Sequence, residues 1–163
     1  MNHTLQQGPH RGSRCRAAAI TGDDLATCRR FSDALANGDL DAAVAEAHEQ
    51  IELCTPCGDL HGAAGLRTFL AGARLEHFEQ TIIVEGVVAD GARAFALGRI
   101  ELRWRDGGDL ADSRRVGALL EVRDGRVIRW QSTPDVESAR ERLADQTATR
   151  QRHEVAPERP HPD

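Results

Sequence analysis

The chain contains no tyrosine and no lysine: all 21 of its basic residues are arginine. Aromatic residues make up only 4% of it, and there is a single methionine. No apolar run approaches the roughly 18 residues that a membrane-spanning helix needs. The first twenty residues, MNHTLQQGPHRGSRCRAAAI, hold no apolar stretch of the kind a secretory leader carries. No membrane partner and a cytoplasmic location are therefore expected. The arginines are scattered among 26 acidic residues, giving a net charge of −5. Nucleic-acid binding calls for a clustered basic face, so no such partner is expected. The arginine-only usage looks like coding bias rather than a binding device. Four cysteines (Cys15, Cys28, Cys54 and Cys57) do not make a disulfide framework in a chain without a leader.

What is present is ordinary for a globular protein: 40% apolar and 29% charged residues over 163 positions. One domain over 21–145 is expected, between a disordered arm, 1–20, and a disordered tail, 146–163. Thr21 is a helix cap followed by Asp23 and Asp24, which suit the helix dipole. Leu25, Cys28, Phe31 and Leu35 then recur at helical spacing. Asn37-Gly38 ends that helix, and Asp39 caps a second one carrying Leu40, Ala43, Val44 and Ala47. Ile51 to Cys54 is a short strand, Pro56, Gly58 and Gly62 mark a loop, and Gly62 to about Arg74 is a third amphipathic helix.

Strands follow: Gln80 to Val88, Ala94 to Trp104, Arg115 to Val122 and Val127 to Ser132. The loop Arg105 to Asp112 joins the middle two. Asp90-Gly91 and Asp124-Gly125 are hairpin signals. Pro134 stops the last strand, and Val136 to about Asp145 is a charged helix. Three helices before a run of strands predict an α+β fold, a curved antiparallel sheet wrapped around the helices as a cone with a pocket.

Three segments sharpen this expectation: FSDALANGDLDAAVAEA, IELCTPCGDLHGAAGLRTFLAG and LLEVRDGRVIRWQSTPD. In that order and spacing the chain resembles the SnoaL-like branch of the nuclear transport factor 2-like superfamily, over about residues 24 to 135. The resemblance implies a cystatin-like cone, a pocket for a small molecule and, commonly, a homodimer. Relatives include polyketide cyclases, ketosteroid isomerases, limonene-epoxide hydrolases, dehydratases and proteins without catalysis. Pocket residues therefore have to decide the function.

Alternation along a strand offers a test. From Ala94 to Trp104, one face carries Phe95, Leu97, Arg99, Glu101 and Arg103, which pass from apolar to charged. That gradient fits a cone with a greasy floor and a polar mouth. The alternative is that Ile100, Leu102 and Trp104 pack inward while Arg99, Glu101 and Arg103 meet water. A two-residue turn at Asp124-Gly125 would pair Arg123 with Arg126, Glu121 with Ile128 and Leu119 with Trp130. Leu119, Trp130 and Ser132 would then share a face.

The resemblance to ketosteroid isomerases implies a carboxylate base near the end of the first strand and a tyrosine donor. Thr55 occupies that base position and the chain has no tyrosine. The Arg-x-Asp of limonene-epoxide hydrolases matches Arg99-Ile100-Glu101, but their second carboxylate falls on Ser132. A cyclase-like reaction needs only a shaped pocket and one group to move a proton; Glu101, Glu121, Asp135 and His61 are candidates. Cys54-Thr55-Pro56-Cys57 lacks the following helix of a redox motif. Cys54, Cys57 and His61 lack a fourth ligand for a metal.

The resulting expectation is a small-molecule-binding protein that needs no cofactor and no metal, for an apolar or polyketide-like molecule. If it catalyses, it does acid–base chemistry (cyclisation, isomerisation, dehydration or hydrolysis), with Glu101 moving the proton and Arg99 holding it ionised or anchoring a substrate oxygen. Phe95, Leu97, Leu119, Trp130, Ser132, Thr55 and His61 would contact the ligand. The competing expectation is a non-catalytic dimeric ligand-binding or interaction module.

Overall fold

The structure is a computed structural model, and it describes residues 19–72, 76–133, 136–137 and 141. The expected arm up to residue 18, Asp135, the tail and most of the expected terminal helix lie outside the described residues. Ile20 is described, and it is tied down: its N–H donates to the Gly91 carbonyl at 2.9 Å and its side chain packs on the core.

Helix α1 (Gly22–Asn37) begins where a cap allows it. Thr21 Oγ1 accepts from Asp24 N, and Asp24 reaches back to the Thr21 N–H, so two otherwise unpaired donors are satisfied. Gly38 ends the helix at φ 67°, a conformation that costs glycine little. Asp39 accepts from Ala42 N and starts α2 (Leu40–Glu46). Arg30 forks onto both oxygens of Glu46, at 2.7 and 2.9 Å, and ties the two helices together.

The chain then enters β1 (Ala47–Thr55), turns at Pro56-Cys57 into β2 (Gly58–His61), and forms α3 (Gly62–Gly72). Strands β3 (Phe78–Asp90), β4 (Arg93–Trp104), β5 (Leu110–Arg123) and β6 (Arg126–Thr133) complete one six-stranded sheet, ordered β2-β1-β6-β5-β4-β3. The expected loop around Gly58 is thus a hairpin whose second arm is β2. The expected antiparallel sheet is mixed, because β1 runs parallel to β6. The pairs β3–β4 and β5–β6 form hairpins near their Asp-Gly signals: the second turns at Asp124-Gly125 as expected, and the first turns one residue later, at Gly91-Ala92, because Asp90 pairs with Arg93.

The helices cover one face of the sheet. Phe31, Cys28, Leu35, Ala43 and Leu66 meet Ile51, Leu53, Ala94, Ala96, Ala118, Leu120 and Val127 in one buried cluster. The opposite face carries a separate small cluster of Val88, Phe95 and Leu97. No helix among the described residues is long and apolar enough to cross a membrane.

Candidate functional site

The first question is which side chains share the helix-packed face. Strand β4 decides it, since Ala94 and Ala96 lie in the main core and Phe95 and Leu97 in the other cluster. Its pairing with β5 is continuous from Ala94↔Leu120 to Leu102↔Asp112. Alternation therefore carries Gly98, Ile100 and Leu102 along the helix-packed face, and Arg99 and Glu101 along the outer one. Ile100, Leu102 and Trp104 thus share the helix-packed face, as in the alternative reading, but Trp104 is 49% exposed and the Glu101 side chain on the outer face is only 17% exposed.

The expected site is divided accordingly. Arg99, Glu101, Phe95, Leu97 and Leu119 share the outer face. Trp130 and Ser132 lie on the helix-packed face, because they pair with Leu120 and Ala118. The expected pairing of Leu119 with Trp130 does not occur; Leu119 pairs with Gln131. The cause is a bulge: Glu121 pairs with Arg129 and Val122 with Val127, so Ile128 is left over. One extra residue flips every later side chain to the other face. The first pair, Arg123↔Arg126, is as expected.

Thr55 and His61 are separate again. Thr55 Oγ1 donates to the Gly58 carbonyl at 2.7 Å and accepts from Cys57 N, so its hydroxyl is spent on the turn. His61 is exposed and opposite Glu52 on the outer face. Four inter-strand steps separate its strand from that of Glu101, roughly 19 Å at about 4.8 Å each.

On the outer face, Glu101 lies between two guanidiniums, 3.2 Å from Arg99 Nη2 and 3.2 Å from Arg103 Nη2. Its side chain is 17% exposed, against 41% and 44% for its partners. The cross-strand neighbour of Arg99 is a further arginine, Arg115. Glu101 thus balances a strip of positive charge.

A second polar cluster was not foreseen. The carboxylates of Glu52 and Asp59 and the sulfur of Cys54 lie within 4.8 Å of one another, on adjacent strands of the β1–β2 hairpin. The donor set would suit a cation, and Arg129 fills that role. Its Nη2 donates to Cys54 Sγ at 3.5 Å and its Nε lies 3.6 Å from Glu52. The hydrogen bond to Cys54, with the Glu52 carboxylate beside it, holds the guanidinium even more firmly protonated than usual. A shallow cleft of about 140 Å³ opens between α2, β1 and α3, beside Val44, His48 and Leu66. Ligand pockets for drug-sized molecules span about 300–1,000 Å³, so it is too small for that use. Arg126 on its wall is already bound to the carbonyls of Ala45 and Ala47.

The helix-packed face offers more beyond the core. Ile82 pairs with Ile100, Val84 with Gly98, and Gly98 with Val116; Phe78 and Trp104 meet with ring centroids 4.3 Å apart. Ile82, Val84, Ile100, Leu102 and Val116 belong to neither buried cluster and are only half-buried, while Trp104 is 49% exposed. At the inner edge of this strip Trp130 packs on Phe69, 5.1 Å between centroids, with Ser132 two residues along. At its rim, Arg114 and Asp112 pair with Ile100 and Leu102. A passage from apolar to polar residues thus runs along this face as well, opposite to Arg99 and Glu101.

The family model of the SnoaL-like domain matches residues 28–130. The chain belongs to the SnoaL-like family. The solved structures agree on the fold. A nuclear transport factor 2-like protein of unknown function from Burkholderia pseudomallei aligns with a TM-score of 0.58 and 17% identity, over 76% of this chain and 98% of that one. TerC, co-crystallised with polyporic acid, aligns at 0.59 and 18%, over 76% and 99%. An LEH-like epoxide hydrolase from M. tuberculosis aligns at 0.55 and 21%, over 79% and 96%. A cystatin-fold protein from Novosphingobium aromaticivorans is also similar, consistent with an α+β cone. No curated protein matches the sequence. At these identities the similarity carries the SnoaL-like fold, and the function rests on this chain's own residues.

Proposed function

We propose that this SnoaL-like chain binds a small, largely apolar molecule on the helix-packed face, over the half-buried strip of β3, β4 and β5. The observation that carries the reading is that strip itself: Ile82, Val84, Ile100, Leu102 and Val116 continue the core's face beyond the core cluster with apolar surface still exposed. An exposed apolar surface rimmed by polar groups is the usual form of a ligand site. Ser132 and Arg114 offer hydrogen bonds, and Arg114 suits an acidic oxygen.

Binding without catalysis is the better-supported half of the proposal. The partly buried carboxylate Glu101 is neutralised by two arginines on the opposite face. Asp112 and Arg114, on the ligand face, are exposed, so neither has the desolvated setting that tunes a general acid or base.

Both tryptophans, Trp104 and Trp130, lie on the ligand face, so intrinsic fluorescence reports on occupancy. Polyporic acid, an acidic quinone co-crystallised with the neighbour TerC, is a suitable probe. Quenching that saturates in the micromolar range is expected. Ile100→Asp should weaken binding about 10- to 100-fold, the worth of one buried aliphatic side chain. Arg114→Gln should weaken it less. Equal affinity for the wild type and Ile100→Asp overturns the placement.

A further inference from the structure

One face of the β1–β2 hairpin brings four metal-binding side chains together. Glu52 and Cys54 are two residues apart on β1, and their cross-strand partners on β2 are His61 and Asp59. Ile51 and Leu53 point into the core, so alternation puts all four on the outer face. They mark the corners of a rectangle about 5 Å across the strands and about 7 Å along them. The carboxylate oxygens of Glu52 and Asp59 and Cys54 Sγ already lie within 4.8 Å of one another. Donor atoms around a tetrahedral zinc ion are about 3.3–3.8 Å apart, so small side-chain rotations close the gap. The lengths fit as well: the short Cys54 and Asp59 face each other across one rung, and the longer Glu52 and His61 reach to them from the next.

The charge at this place is unbalanced. Two carboxylates face one guanidinium, that of Arg129, which comes from β6 on the other side of β1. Its contacts are long, 3.5 Å to Cys54 Sγ and 3.6 Å from Nε to Glu52, and that Nε is shielded from solvent without a hydrogen bond. On the β2 side, the Asp59 and His61 side chains have no hydrogen-bond or ion-pair partner among the described residues. Spacing along the sequence pointed to Cys54, Cys57 and His61 and lacked a fourth ligand. The strand register supplies Glu52 and Asp59 instead, while Cys57 lies exposed in the turn, outside the rectangle.

We propose that Glu52, Cys54, Asp59 and His61 bind a divalent metal ion of the zinc class. A thiolate, an imidazole and two carboxylates form a borderline-soft set, which suits zinc better than magnesium or calcium. On binding, Cys54 gives its proton to solvent and its sulfur bonds the metal. The ligands then carry three negative charges against two on the ion, and Arg129, already donating to Cys54 Sγ, balances the remainder. Four protein ligands leave no open position, so the role is structural. Strand β2 is a four-residue strand at the edge of the sheet, and His61 leads directly into α3. The metal pins both to β1. It lies across the sheet from the proposed ligand strip and does not depend on that reading.

The test uses the full chain with Cys15 and Cys57 replaced by serine, titrated with Co2+ as a coloured substitute for zinc. Cys28 stays, since it is fully buried. One Co2+ per chain is expected, with a sulfur-to-cobalt charge-transfer band in the near ultraviolet that Zn2+ displaces. Histidines elsewhere in the chain bind Co2+ without that band and do not imitate it. Cys54→Ser should abolish the band. Asp59→Asn and His61→Ala should each weaken binding at least tenfold with the circular dichroism unchanged, because both side chains are exposed. Restoring Cys57 should leave the affinity as it was. Absence of the band, its survival in Cys54→Ser, or unchanged affinity in either Asp59→Asn or His61→Ala overturns the proposal.

Discussion

Replacing Glu101 with glutamine separates two accounts of this protein. If Glu101 were the proton carrier, the variant would lose turnover and keep its stability. The geometry assigns the opposite outcome. Glu101 makes two ion pairs of 3.2 Å each on the outer face, with guanidiniums 41% and 44% exposed. An exposed pair is worth about 0.2–1 kcal/mol. The carboxylate itself is only 17% exposed, which places both pairs toward the upper end of that range. Neutralising it also leaves Arg99, Arg103 and the cross-strand Arg115 near one another, with Glu79 opposite Arg103 and Glu137 paired with Arg115 as counter-charges among the described residues. The expected loss is about 1–2 kcal/mol, or about 3–8 °C in Tm for a domain of this size. Urea unfolding of both proteins should show it, and 1 M NaCl should shrink the difference, because salt screens exposed pairs. Polyporic acid affinity should change less than twofold. Unchanged stability together with lost binding or turnover would refute the assignment of faces and return Glu101 to the ligand.

Two further outcomes test the core. Burial, with a smaller contribution from Asp24, pushes the Cys28 thiol from 9.0 up to about 12. The folded thiol therefore keeps its proton where the unfolded one has lost it. Stability should be unaffected below pH 9, fall by about 1.4 kcal/mol per pH unit above it, and level off past 12. Urea midpoints at pH 8 and 10.5 should show this slope in the wild type and its loss in Cys28→Val; an identical slope in both proteins counts against the buried thiol as its source. Gly98→Ala places a Cβ 2.6 Å from the Ile83 carbonyl oxygen, a backbone atom beside the irregularity in the β3–β4 ladder. A loss of about 2–3 kcal/mol is expected. Gly107→Ala, whose nearest atom is a side-chain oxygen at 3.8 Å, should stay within about 0.5 kcal/mol and serves as the control.

Local chemistry made much of the fold legible. Thr21, Gly38 and Asp39 are caps whose side-chain or backbone geometry needs no distant partner, and all three act as expected. The Asp-Gly signals mark both hairpins for the same reason, although the first turn lies one residue on, at Gly91-Ala92. What the sequence hid was non-local. Gly58 reads as a loop residue, yet β2 forms because β1 is already fixed by β6 and offers an edge. The bulge at Ile128 carries no local mark: the residue is as strand-like as its neighbours. Counting back from the turn therefore put Leu119 beside Trp130, and the two are on opposite faces.

The placement of the candidate site turned on a similar ambiguity. Arg99, Glu101 and Arg103 alternate as a polar mouth would, and as a wet outer face would. Charge cannot choose between them, but size can. Ala94, Ala96 and Gly98 follow one another on one face of β4, and Ala118 lies beside Ala96 on β5. Small residues let a helix approach a sheet closely, and Ala94, Ala96 and Ala118 are in the cluster that packs under Phe31 and Leu35. The same face then changes to Ile100, Leu102 and Trp104, which lie outside that cluster. The step from small to large marks where the helix-packed core ends and open floor begins. Phe95 and Leu97, on the opposite face of the strand, belong to the separate cluster against which Val136 packs. The volume profile along one strand thus marks where the helix-packed core ends, and it does so with residues that carry no charge.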